Sequence, residues 1–145
     1  MSCDRSQLEP LVGEWDLEVL HPAPEIGRLV GASNAEWVLD GAFVVQRLTI
    51  EHPQFPDWLV VIGPADGDWA YHYYDTRGVS RTFRMRIEDR TWSFLRMGED
   101  FYQRFTLEFA PDDSRFVARI DMSHDEGRTW SHDFDMRFSR VSPRP

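Results

Sequence analysis

Residues 79–87, VSRTFRMRI, alternate between two kinds of side chain: Val79, Arg81, Phe83, Met85 and Ile87 fall on one side of an extended chain, Ser80, Thr82, Arg84 and Arg86 on the other. Successive side chains of a strand point to opposite faces, so such a run predicts a half-buried strand rather than a helix. The pattern recurs along the chain. Strand-like segments fall at roughly 12–20, 31–39, 43–51, 58–63, 69–75, 79–87, 91–97, 101–110, 115–123 and 129–141, none with a sustained helical period. One short helical turn is expected ahead of them, at 6–11.

The breaks carry turn chemistry: ADGD at 65–68, DTRG at 75–78, IEDR at 87–90, MGED at 97–100, PDDS at 111–114 and DEGR at 125–128. Short connections make sequential neighbours antiparallel, and a meander of about ten strands removes its edges by closing on itself. The expectation is therefore a single domain over 1–145, all-β, an antiparallel up-and-down barrel of about ten strands with a short N-terminal helix. Eight strands enclose a space just filled by side chains or one small ligand, so ten should leave a lumen.

Strand parity then says what faces that lumen. In 115–123 the row Phe116, Ala118, Ile120, Met122 is unbroken, as a plain barrel lining should be. Elsewhere a polar group interrupts. Arg81 stands among Val79, Phe83 and Met85, Gln103 among Phe101, Phe105 and Leu107, and His132 in the row Trp130, Phe134, Met136, Phe138. Segment 91–97 puts Trp92 and Phe94 inward with Arg96 at the rim. Tyr71 and Tyr73 share a face of WAYHYYD, where a hydroxyl beside an arginine would make a carboxylate-binding pair. Segments 43–51 and 58–63 are apolar on both faces, so Arg47 and Gln46 compete for one inward slot; Trp37 joins Arg47 as a candidate lining residue.

Each candidate has a bland counterpart. His132 can be a packing residue whose ring nitrogens found partners, Arg81 can sit in an internal ion pair or reach out to the rim, and Gln103 can be a structural amide. A buried donor left unpaired costs about 1 to 3 kcal/mol, so each must pair with protein, water or ligand.

The 145 residues include ten Phe, six Trp and four Tyr, which suits a pleated sheet. The net charge of −9 disfavours nucleic acid as a partner. Every Lys+Arg residue is an arginine, and the single cysteine, Cys3, cannot bridge internally, which fits a reducing compartment. The longest apolar run, WLVVIG, is too short to cross a bilayer, and MSCDRSQLEP lacks the apolar stretch of a secretion signal, so the expected location is cytoplasmic with no membrane partner. FPDWLVVIG, apolar on both faces, could pair with a second copy in a homodimer.

LVGEWDLEVL carries Gly13 and Trp15, a G-x-W that resembles the start of the first strand in lipocalins and related calycin barrels. That resemblance implies that an arginine of the last strand, here Arg140 of FSRV, lies across the tryptophan at the closed end. WVLDGAFVVQR, GPADGDWAYHYYDTRG and TWSHDFDMRFSRV look like a family of bacterial calycin-like proteins, which implies architecture and no particular activity. The nitrobindins, a neighbouring group, hold haem through a late-strand histidine; that more distant resemblance implies haem as an alternative cofactor, with His132 as its iron ligand.

Hydrolase, zinc-protease, phosphate-loop and dinucleotide signatures are all missing from the sequence. The leading expectation is a barrel whose lumen binds a small hydrophobic or amphipathic molecule with a polar or anionic end. The alternatives are a haem protein or lumen enzyme working through His132 or Tyr73, and a structural or interaction domain with a filled barrel.

Overall fold

A computed structural model describes residues 4–141. Cys3 lies outside the described residues. Ten strands form one closed antiparallel barrel: β1 (Gly13–Leu20), β2 (Arg28–Val38), β3 (Phe43–Ile50), β4 (Trp58–Ala65), β5 (Asp68–Asp75), β6 (Ser80–Glu88), β7 (Thr91–Met97), β8 (Tyr102–Phe109), β9 (Arg115–Ser123) and β10 (Ser131–Arg140). Each strand pairs with its sequence neighbours, and β10 closes the ring on β1, with Trp15 opposite Arg140 and Leu17 opposite Phe138. No edge is left to pair with another chain.

A 3-10 helix, Arg5–Leu11, precedes β1 and stoppers one end. Asp4 caps it by accepting the Ser6 and Gln7 backbone N–H groups, and Leu8 and Leu11 are driven fully into the core. Trp15 donates its indole N–H to the Leu11 carbonyl at 2.9 Å. Arg140 lies over the Trp15 ring at 4.1 Å and donates to the carbonyls of Val12, Pro10 and Asp113 at 2.7, 2.9 and 3.0 Å. The arginine-on-tryptophan arrangement implied by the G-x-W is thus present. It also explains Gly13: with φ at +134°, any Cβ there would collide with the Arg140 guanidinium.

Above this floor the core is stacked in layers of rings. Phe116 packs on Trp15, Phe109 and Phe138 with centroids 4.7, 4.7 and 4.1 Å apart. Higher up, Phe105 meets Phe94 at 4.2 Å and Phe83 at 5.1 Å, and Tyr71 joins them at 4.8 Å from Phe94. No helix among the described residues is long and apolar enough to cross a membrane.

Candidate ligand-binding site

The barrel is not filled. A cavity of about 400 Å³ runs from Leu11 on the stopper, past Phe116 and Ile62, to a mouth at the opposite end. Small-molecule sites span about 300 to 1,000 Å³ and are mostly apolar with a few convergent polar groups. Here the polar groups collect at the mouth, because the inward rows of β4, β5, β6 and β8 have Trp58, Tyr73, Arg81 and Gln103 at that end and are apolar or aromatic below.

Arg81 lies within cation–π range of two rings, its guanidinium carbon 5.2 Å from the Phe101 centroid and 5.9 Å from that of Tyr73. It makes no hydrogen bond or ion pair with any described residue. The nearby arginines differ: Arg96 also lies over Phe101, at 5.1 Å, but bonds Asp100 at 2.9 Å, and Arg77 bonds Asp75 at 2.6 Å. Gln103 lies one inward position below Phe101, and its side-chain oxygen is buried without a partner. Trp58, whose ring is 5.5 Å from Tyr73, has an indole N–H that is likewise buried and unpartnered. Arg81, Trp58 and Gln103 thus all line this part of the cavity.

Tyr73 is already engaged. Its hydroxyl donates to Asp75 Oδ2 at 2.7 Å, so it is not an open donor for a carboxylate beside Arg81. Burial pushes its proton loss above the ordinary phenol range, and the bond to Asp75 adds to this. Burial would raise Asp75 too, but the Arg77 side chain, the Tyr73 hydroxyl and the Arg77 backbone N–H at 2.9 Å outweigh it and hold the carboxyl well below its usual value. Tyr71 sits deeper among the Phe rings, and burial raises its hydroxyl in the same direction.

His132 is not in the lumen. A β-bulge between His132 and Phe134 inserts Asp133 as an extra residue, so the parity that turns Phe134, Met136 and Phe138 inward is lost N-terminal to it. His132 therefore lies on the outer face, its Nδ1 3.4 Å from Asp121 and its Nε2 3.3 Å from Asp135. Trp130 is outside with it, covered by Arg104 at 4.1 Å. Asp121 also accepts from Arg104 and Arg119; burial alone would raise it, and these bonds instead keep it below the ordinary carboxylate value. Asp133 does line the cavity mouth, where burial pushes its carboxyl up.

Two other candidates fall outside. Arg47 is exposed and paired with Glu36 at 3.0 Å, while Gln46 takes the inward slot, donating to Ser33 at 3.3 Å. Trp37 is at the stoppered end, its indole N–H on Glu9 at 3.0 Å, and serves to tie down the helix. Arg81, Gln103, Tyr71 and Tyr73 all line the cavity. Trp58 and Asp133 were not singled out from the pattern; the indole at the entry of an apolar strand was the available signal for the first.

The haem alternative finds no fit. No histidine among the described residues lines the lumen, and His132 is held outside by two carboxylates. Among those residues no group of three or more His, Cys, Asp or Glu could hold a metal ion.

Two loops cover the mouth. Phe55 and Pro56 of the 51–57 connection line the cavity, and the Phe55 ring lies 6.5 Å from His21 and 5.7 Å from His52. Both histidines precede a proline, and in both Nδ1 accepts the backbone N–H two residues on, from Ala23 and Gln54, at 3.1 Å.

A solved structure shares this fold. The chain is similar to the crystal structure of Rv2717c from M. tuberculosis, with a TM-score of 0.65 at 10% identity, covering 98% of this chain and 100% of that one. The likeness is one of fold. Together with the closed ten-strand sheet, it fits a calycin-like barrel. No family model and no curated protein matches the sequence.

Proposed function

We propose that the lumen binds one small, mostly apolar molecule with an anionic end, and that Arg81 holds that end at the mouth. The observation that carries this is Arg81 itself: a cation at the neck of an aromatic cavity with rings on two sides and no ion pair with any described residue. In a chain of net charge −9, its neighbours Arg77 and Arg96 are paired with acids and Arg81 is not. A carboxylate or similar anion would complete a charge-assisted pair, while the Phe83, Phe94 and Phe105 layer takes the apolar body.

The test is native mass spectrometry of protein taken directly from cells, joined to melting curves over a panel of medium-chain and aromatic carboxylic acids. A retained small molecule, or acid-induced stabilisation that Arg81→Met reduces at least tenfold in affinity, is expected. No retained species and no shift with any acid would contradict it.

A further inference from the structure

The lumen wall carries unpartnered polar atoms of two kinds. The Gln103 side-chain oxygen and the Trp58 indole nitrogen are sealed within the wall, and these atoms offer a ligand no surface. The Tyr71 hydroxyl also makes no hydrogen bond with any described residue, but it is not sealed. Tyr71 keeps 7% of its surface accessible and is an inward residue of β5, so what stays open on it opens into the lumen. Burial and the nearby Tyr73 push its proton loss above the phenol range, so at neutral pH it is an O–H and a donor.

Register sets its depth. Arg81 pairs with Tyr73 across β5 and β6, and two residues further in Phe83 pairs with Tyr71. Two residues of strand advance about 7 Å. The Tyr71 ring is held at that lower level by Phe83, Phe94 and Phe105, with centroids 5.6, 4.8 and 5.3 Å away. The cavity continues past this layer to Phe116 and Leu11. A ligand that sets its acid at Arg81 and reaches the floor therefore passes Tyr71 with the middle of its body.

We infer that the lumen's ligand is an acid whose body carries an acceptor oxygen, a keto or hydroxy group, at the depth of Tyr71, and that the Tyr71 hydroxyl selects for it. This rests on the lumen-binding proposal and narrows its ligand class. A purely hydrocarbon body covers the hydroxyl and strips it of water without replacing the bond, whichever way the O–H rotates. An oxygen at that depth accepts the proton instead. The discrimination lies in that difference, as in any site whose buried polar group is left unpaired by the analogue that lacks its partner.

Calorimetric titration of the full chain with decanoic acid, and with decanoic acids bearing one ketone moved from the fourth to the eighth carbon, tests it. At one position, or two adjacent ones, the keto acid should bind about five- to one-hundredfold more tightly than decanoic acid. Tyr71→Phe deletes only the hydroxyl and should bring that ratio close to one by weakening the keto acid and not decanoic acid. The hydroxyl has no partner to lose among the described residues, so melting curves of the variant and the unmodified protein should coincide. Arg81→Met should weaken every acid together. No preference for a ketone at any position, or a preference that survives in Tyr71→Phe, overturns the inference while leaving lumen binding intact. Failure of every acid to bind, or indifference to Arg81→Met, overturns the lumen proposal and this inference with it.

Discussion

The guanidinium of Arg140 covers the Trp15 indole at 4.1 Å, joining the last strand to the first across the floor of the barrel. Three carbonyls, from Val12, Pro10 and Asp113, accept its N–H groups, so one side chain fixes the stopper helix, the β1 entry and the turn before β9. Arg140→Ala should cost about 2 to 4 kcal/mol, from the lost cation–π contact and from carbonyls left to find water. Urea unfolding measures it. A loss below about 0.5 kcal/mol, typical of a plain surface change, would show that the clasp contributes little.

Asp75 makes a pH prediction with a definite sign. Its carboxyl is lowered in the folded protein, burial being outweighed by Arg77 and Tyr73. Its stabilisation is thus complete above the unfolded value near about 4, and is lost as pH falls from there toward the folded value. Asp75→Asn should destabilise by about 1 to 3 kcal/mol at neutral pH. The gap to the unmodified protein should close steadily below about pH 4. Urea midpoints at several pH values report it, and a gap that stays constant into acid would exclude an ionised Asp75 as its source.

His132 should prove dispensable to whatever the lumen holds. Because it lies outside, between Asp121 and Asp135, His132→Ala should change stability by no more than about 1 kcal/mol and leave ligand affinity unaltered. Mixed with haemin, the variant and the unmodified protein should give the same spectrum. A Soret band lost specifically in the variant would contradict the placement of this side chain.

The mouth loop should depend on its histidine acceptor. His21 and His52 accept backbone N–H bonds through Nδ1, and both rings abut Phe55. His52→Ala removes the acceptor for the Gln54 N–H and one ring from Phe55, so amide exchange in residues 52–56 should become faster. His52→Asn keeps an acceptor at that place and should retain part of the protection. Equal protection in His52→Ala and the unmodified protein would remove the effect.

Much of this architecture was written in the alternation of the chain. All ten strands fall within three residues of where polar–apolar parity puts them, since one face of each is buried and a slip would turn that face to water. The same rule placed Arg81 and Gln103 inside. It failed at His132 because parity carries through a strand only while the count is unbroken, and the bulge at Asp133 adds one residue that nothing in TWSHDFDMRF announces. It was silent at Arg47 and Gln46 because VVQRL is apolar on both sides; the barrel decides by leaving Arg47 beside Glu36 and giving Gln46 a hydroxyl from Ser33. Parity put Tyr73 on one face with Tyr71 without saying which face was inside; both line the cavity, and the Tyr73 hydroxyl goes to Asp75, a partner on its own strand.

The most direct measurement is the electron density inside the barrel of crystals grown from protein purified without delipidation. Lumen binding requires a continuous, non-protein feature in the cavity of about 400 Å³, with its polar end at Arg81 and its body against Phe83 and Phe105. A lumen holding only scattered water, or a molecule bound on the outer face with Arg81 untouched, would contradict it.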